Sequence, residues 1–163
     1  MLMRIQLIFV ITLLTLINIC NGDLCEFSFC KCEDSDVLCQ GDEEDPEDLV
    51  ISSSVLPSQI TSLSLSNLAR VTVKTDTFVS QQQLKEIHIK SIEKVEIKKF
   101  SFSSSNITSF SSLLDFRLDS VNLLEFESSH SLDNLPKMNS VEFSNVRFKV
   151  MVSFITYLHL RGN

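Results

Sequence analysis

The sequence predicts a β-rich solenoid of stacked repeats, capped at its N-terminal end by disulfides. Three observations carry that expectation: an apolar spacing that occurs three times, a tight group of cysteines ahead of it, and a leader suited to export. Counting from a starting aliphatic residue, apolar side chains fall at offsets 0, 3, 5, 8, 11 and 13. The first copy is Ile60, Leu63, Leu65, Leu68, Val71 and Val73, and the second is Leu84, Ile87, Ile89, Ile92, Val95 and Ile97. The third is Leu113, Phe116, Leu118, Val121, Leu124 and Phe126. Self-similarity at this period marks units whose apolar side only a neighbouring unit can bury. At 163 residues and 44% apolar, with three glycines and three prolines against twelve phenylalanines, the chain has a domain's composition, not a linker's. A net charge of -7 without a basic stripe argues against nucleic acid as a partner.

The leader comes first. Met1 to Arg4 is a short basic start, and Ile5 to Ile19 is mostly apolar but broken by Gln6, Thr12, Thr15 and Asn18. That run is too short for a span of about 20 residues and suits a secretory signal, 1–22, with cleavage after Gly22. An uncleaved amphipathic anchor is the alternative. Beyond Asp23 no apolar run approaches spanning length, so the mature chain is expected to be secreted, with no membrane span.

Of five cysteines, Cys20 falls in the signal, leaving Cys25, Cys30, Cys32 and Cys39. An even number in an exported chain reads as disulfides, and four cysteines allow three pairings. A metal site is disfavoured because C-x-C lacks the usual two-residue gap. Next, Gly41 to Asp48 reads GDEEDPED. Clustered carboxylates can bind calcium, but without an EF-hand spacing the plainer reading is a solvated, self-repelling loop. No cofactor is expected. Leu49, Val50 and Ile51 read as a buried strand of the cap, so that 23–59 forms a cysteine-rich cap with an acidic linker.

Within each copy, offsets 3 and 5 alternate as in a short strand, turning offsets 2, 4 and 6 to the opposite face. Offsets 11 and 13 alternate like another strand. Phe78 and Phe102, both at offset 18, are placed to close the core. A degenerate fourth copy runs from Met138 through Val141, Phe143, Val146 and Met151, with Lys149 where an apolar side chain is expected. A fifth starts at Ile155 with Leu158 and Leu160. Residues 60–163 thus hold four to five repeats, the last incomplete. The serine-rich gap from Ser101 to Ser112 contains Asn106-Ile107-Thr108, an N-glycosylation sequon in a polar insertion.

The C-x4-C-x-C-x6-C cluster ahead of Leu56-Pro57-Ser58-Gln59-Ile60-Thr61-Ser62-Leu63-Ser64-Leu65 resembles the N-terminal cap and first repeat of extracellular leucine-rich-repeat proteins, including invertebrate adhesion receptors. The resemblance implies an α/β-type leucine-rich-repeat solenoid, β-rich here, with short parallel strands on a concave face and an irregular convex side. It also implies the pairings Cys25 with Cys32 and Cys30 with Cys39. The chain departs from the family pattern at offset 8, where Asn or Cys is common but Leu68, Ile92, Val121 and Val146 stand. Asn67 and Asn145 lie one residue early, so the family's Asn ladder is expected to be shifted or absent.

The resemblance makes the concave face the place for function. It comprises Ser62, Ser64 and Ser66, then Glu86, His88 and Lys90, then Asp115, Arg117 and Asp119, followed by Ser140, Glu142 and Ser144, and lastly Tyr157, His159 and Arg161. Parallel stacking sets Lys90 beside Asp119 and Arg117 beside Glu142 as opposite charges, with Glu86 beside Asp115 as like charges. A polar, charge-mixed face fits an extracellular protein or glycan, and it is also what any solvated β-solenoid face shows. Catalysis is not expected: His88, His130 and His159 are scattered, and no nucleophile elbow, metal-binding histidine motif or phosphate loop is present. The family usually adds a C-terminal cap. Without one, an open end would self-associate, or the chain would be a fragment or isoform of a larger cell-surface receptor.

Overall fold

A computed structural model of the chain describes residues 24–102, 113–128, 131 and 140–149. The repeat spacing folds as stacked coils, each crossing two rows of parallel strands. Row one contains β2 (Asp36–Gln40), β4 (Ser62–Ser66), the first half of β6 (Glu86–Ile97), the first half of β7 (Asp115–Phe126) and β8 (Ser140–Ser144). Row two contains β3 (Asp48–Ile51), β5 (Arg70–Val73), the second halves of β6 and β7, and β9 (Phe148–Lys149). The hairpin strand β1 (Cys30–Glu33) lies antiparallel on β2 and closes the first edge. The result is a β-solenoid of about four turns.

The described residues hold almost no helix, a 3-10 turn at Leu24–Glu26 and Ser131 in 3-10 conformation, so the α/β designation is not supported. The physical reason is in the spacing. Alternating apolar residues at offsets 11 and 13 give each coil a second strand where a helix would need a period of 3.6.

Every apolar position of the three copies is buried, from Ile60 at 2% exposure to Phe126 at 8%. An aromatic series joins the coils inside this core. Phe78 stacks on Phe102 at 5.2 Å, Phe102 meets Phe116 edge-on at 5.4 Å, and Phe116, Phe143 and Phe148 continue the contacts. Such pairs add to the burial gain of each ring. In the cap, Cys25 is bonded to Cys32 and Cys30 to Cys39, while Leu24 is fully buried and its N–H donates to the Val55 carbonyl. The disulfides point to an oxidising compartment. Among the described residues no helix is long and apolar enough to cross a membrane.

The corner between the rows is built at offset 7. Asn67, Ser91, Ser120 and Asn145 all take positive φ, between 53° and 56°, in the left-handed region. Asn is among the non-glycine residues that tolerate it best. Asn67 and Asn145, one residue before offset 8, thus share a left-handed conformation with Ser91 and Ser120. A second corner follows row two. Asp76 and Phe100 have positive φ, and the next residues, Thr77 and Ser101, are fully buried hydroxyls. Thr77 Oγ1 donates to the Lys74 and Ile51 carbonyls at 2.6 and 3.1 Å; Ser101 Oγ donates to those of Lys98 and Val73 at 2.6 and 3.3 Å. One oxygen in each set belongs to the preceding coil, so each hydroxyl is satisfied and ties two coils together.

Three expectations need correction. Val50 is not buried: in β3 Leu49 and Ile51 face inward, and strict alternation leaves Val50 47% exposed. Val141, in register with Phe116, is 41% exposed. Lys149 fills no core position. Phe148 pairs with Leu124 and takes the expected apolar slot, so the fourth coil turns its corner with one residue fewer and Lys149 points outward beside Glu125.

Candidate recognition face

On row one the even offsets project outward and register sets them in ranks, with neighbouring strands about 4.8 Å apart. The first rank is Asp36, Ser62, Glu86, Asp115 and Ser140. The second is Leu38, Ser64, His88, Arg117 and Glu142; the third is Gln40, Ser66, Lys90, Asp119 and Ser144. The structure thus brings together Glu86, His88, Lys90, Asp115, Arg117, Asp119 and Glu142 on one side of the sheet. Tyr157, His159, Arg161 and the sequon at Asn106 lie outside the described residues.

One of the expected pairings is loose and another does not form. Arg117 reaches Glu142 at 4.0 Å and Asp115 at 3.9 Å, with its side chain 52% exposed. By bridging to Asp115 it offsets the like charges of the Glu86–Asp115 pair. Lys90 stands in register with Asp119, yet no ion pair forms between them; Asp119 Oδ1 instead accepts from Ser120 Oγ at 3.2 Å. The turned corner at Ser120 places a donor closer than the long lysine. Glu86, His88 and Lys90 make no ion pair with any described residue.

Row two behaves differently. Lys94 Nζ binds Glu96 at 2.6 Å and Glu125 at 2.8 Å, Lys149 binds Glu125 at 2.6 Å, and Lys98 binds Glu96 at 3.4 Å. Hydrogen bonds from Lys149 and then Lys94 push the Glu125 carboxyl down to about 2. Lys94 is raised by its bonds to Glu125 and Glu96, and Glu96 is lowered chiefly by Lys94. These charges hold one another, whereas those of row one largely face water.

Sequence reasoning missed the part of the face supplied by the cap. Leu38 and Gln40 continue its ranks because β2 is the first strand of row one. The signal was available: Val37 and Cys39 alternate as buried residues once a disulfide-bonded cysteine is counted as apolar. Among the described residues no group of three or more His, Cys, Asp or Glu converges to hold a metal ion. No protein-family model matches the chain, and no curated protein matches it.

Proposed function

We propose that the chain is a secreted recognition module of the leucine-rich-repeat type that binds an extracellular protein through the outward residues of row one. The observation that supports this reading is the contrast in pairing: His88, Lys90 and Glu86 carry no ion pair with described residues and Arg117 is held only loosely, on a sheet whose inward side chains are buried and apolar. Charges on a pre-organised, water-facing surface can pair with a partner without first breaking strong contacts. The leader and the disulfides together support secretion. A glycan is the other outcome that the test separates.

The test is capture of extracellular partners by the secreted protein, followed by binding measurements on His88→Glu and Arg117→Glu. Both variants should keep wild-type circular dichroism and lose roughly tenfold or more in affinity. Normal binding by the folded variants would remove row one as the interface. Binding abolished by deglycosylating the partner would identify a glycan.

A further inference from the structure

Where β2 meets the loop 41–47, the cap end of row one opens into a cavity of about 810 Å³. Its apolar lining is Phe29 and Leu38, and Leu38 is 45% exposed, a large aliphatic side chain left in water. Phe27, 41% exposed, continues this patch with its ring 5.4 Å from that of Phe29. Against the apolar lining stand Asp42, Glu43, Glu44 and Glu47, with Lys31 as the one cationic lining residue. A smaller cavity of about 260 Å³ on the other side of Glu43, lined also by Glu93, carries the acidic wall round the corner.

The wall is held in place. Gly41 N–H donates to the Ser66 carbonyl, Ala69 N–H to that of Glu47, and Asp42 N–H to Glu47 Oε2 at 3.4 Å. Glu44 N–H donates to Asp42 Oδ1 at 2.9 Å. Gly41 is required by close approach: a Cβ there would lie 2.3 Å from the Asn67 carbonyl oxygen and 2.8 Å from Glu47 Oε2. The loop therefore presents its carboxylates from a fixed backbone beside an exposed apolar surface.

We infer that this bowl docks a cationic peptide segment of a protein partner, one that sets lysine or arginine next to an apolar side chain. Charge complementarity selects the cation, since four lining carboxylates repel one another around a single ammonium. A lone metal ion does not meet the need, because no such cluster among the described residues converges on one point. Leu38 and Phe29 supply the second criterion, an apolar contact that a simple polycation cannot make. The size falls within the range of peptide and small-ligand pockets. This deepens the row-one reading, on which it rests, by giving the partner a chemistry and placing its anchor at the cap.

Isothermal titration of the full secreted protein against acetyl-Leu-Arg-Lys-Leu-amide, with acetyl-Gly-Arg-Lys-Gly-amide and acetyl-Leu-Glu-Glu-Leu-amide as controls, tests it. The first peptide should bind, more weakly as salt rises, and both controls should bind about tenfold less well or not at all. The triple variant Leu38→Ser, Glu43→Gln, Glu44→Gln leaves Glu47 and Gly41 intact and should lose about tenfold or more. His88→Ala with Arg117→Ala should stay within about twofold. No binding by the wild type, equal binding of the glycine control, or an unaffected triple variant with native circular dichroism would overturn the bowl. Loss confined to the His88→Ala, Arg117→Ala protein would overturn it too while leaving the row-one reading standing. Partner capture left unchanged by His88→Glu and Arg117→Glu, with the peptide bound at the bowl, would do the reverse.

Discussion

The two rows of the solenoid share one core and spend their charges in opposite ways. Row two closes Lys94, Glu96, Lys98, Glu125 and Lys149 into a chain of ion pairs with contacts as short as 2.6 Å. Row one leaves Glu86, His88 and Lys90 outside any ion pair with described residues, and its Arg117 contacts stretch to about 4 Å. Strand geometry is the same in both, so the difference comes from side-chain identity. On row two, opposite charges fall both diagonally and two apart along one strand, as with Lys94 and Glu96. Row one has the same kinds of arrangement, with Arg117 two residues from Asp115 and like charges in register at Glu86–Asp115 as at Glu96–Glu125, but one arginine at about 4 Å stands where row two has Lys94, Lys98 and Lys149 close by. A sheet can therefore be stapled on one side and left open to a partner on the other.

The common core sets the largest expected effect. Phe116→Ala removes a ring that touches Phe102 and Phe143 and should destabilise the protein by about 3–5 kcal/mol, with both rows lost in one urea transition. Two separate transitions would show that the rows are not one cooperative unit. Thr77→Val keeps the shape but removes the hydroxyl bonded to the Lys74 and Ile51 carbonyls, and should cost about 1–2 kcal/mol by the same measurement.

Glu125→Gln tests row two alone. The carboxyl is depressed to about 2 in the folded protein from an ordinary value near 4.5. A depressed carboxyl contributes stability above its unfolded pKa and loses it as pH falls toward the folded value. Glu125→Gln should then cost up to about 1 kcal/mol at neutral pH, a modest figure because the site is solvent-accessible, and nothing near pH 2. A penalty that persists undiminished at pH 2 would mean that the side chain acts through packing. The smallest effect on stability belongs to row one. Arg117→Glu should change unfolding free energy by no more than about 0.5 kcal/mol, since its pairs are long and half in water. A larger loss would move row one into the same class as row two.

Much of the scaffold was legible from spacing. The offsets that predicted Leu63, Ile89 and Leu118 as core are buried to 1%, and those same offsets fix which residues face outward. Pairing at Glu86–Asp115 and Arg117–Glu142 followed from equal spacing in adjacent copies. Other features depend on contacts that no single-copy pattern carries. Ser91 and Ser120 give no sign of a left-handed corner, and only their stacking with Asn67 and Asn145 reveals it. Phe148 supplants the expected position at Lys149 because the corner can lose a residue, a choice made by packing against Leu124 and Phe143. The apolar lining of the bowl escaped notice because Leu38 was counted with the cap, while its register partner Ser64 was counted with the face.

The left-handed corner keeps the middle coils in step. From the last residue of row one to the first paired residue of row two the chain takes the same number of steps at Ser66–Arg70 and Lys90–Lys94. The return from row two to the next start does not keep count, since repeat starts lie 24 residues apart from Ile60 to Leu84 and 29 from Leu84 to Leu113. Length does vary at this corner in the outer coils: the loop 41–47 separates Gln40 from Asp48, and the fourth coil reaches the Leu124 register one residue early with Phe148 still packed on the core. A change of length is absorbed within the corner itself, and strand alternation resumes in phase beyond it. Grafts and tags thus belong where the coils already differ in length, at the return edge or in the loop 41–47.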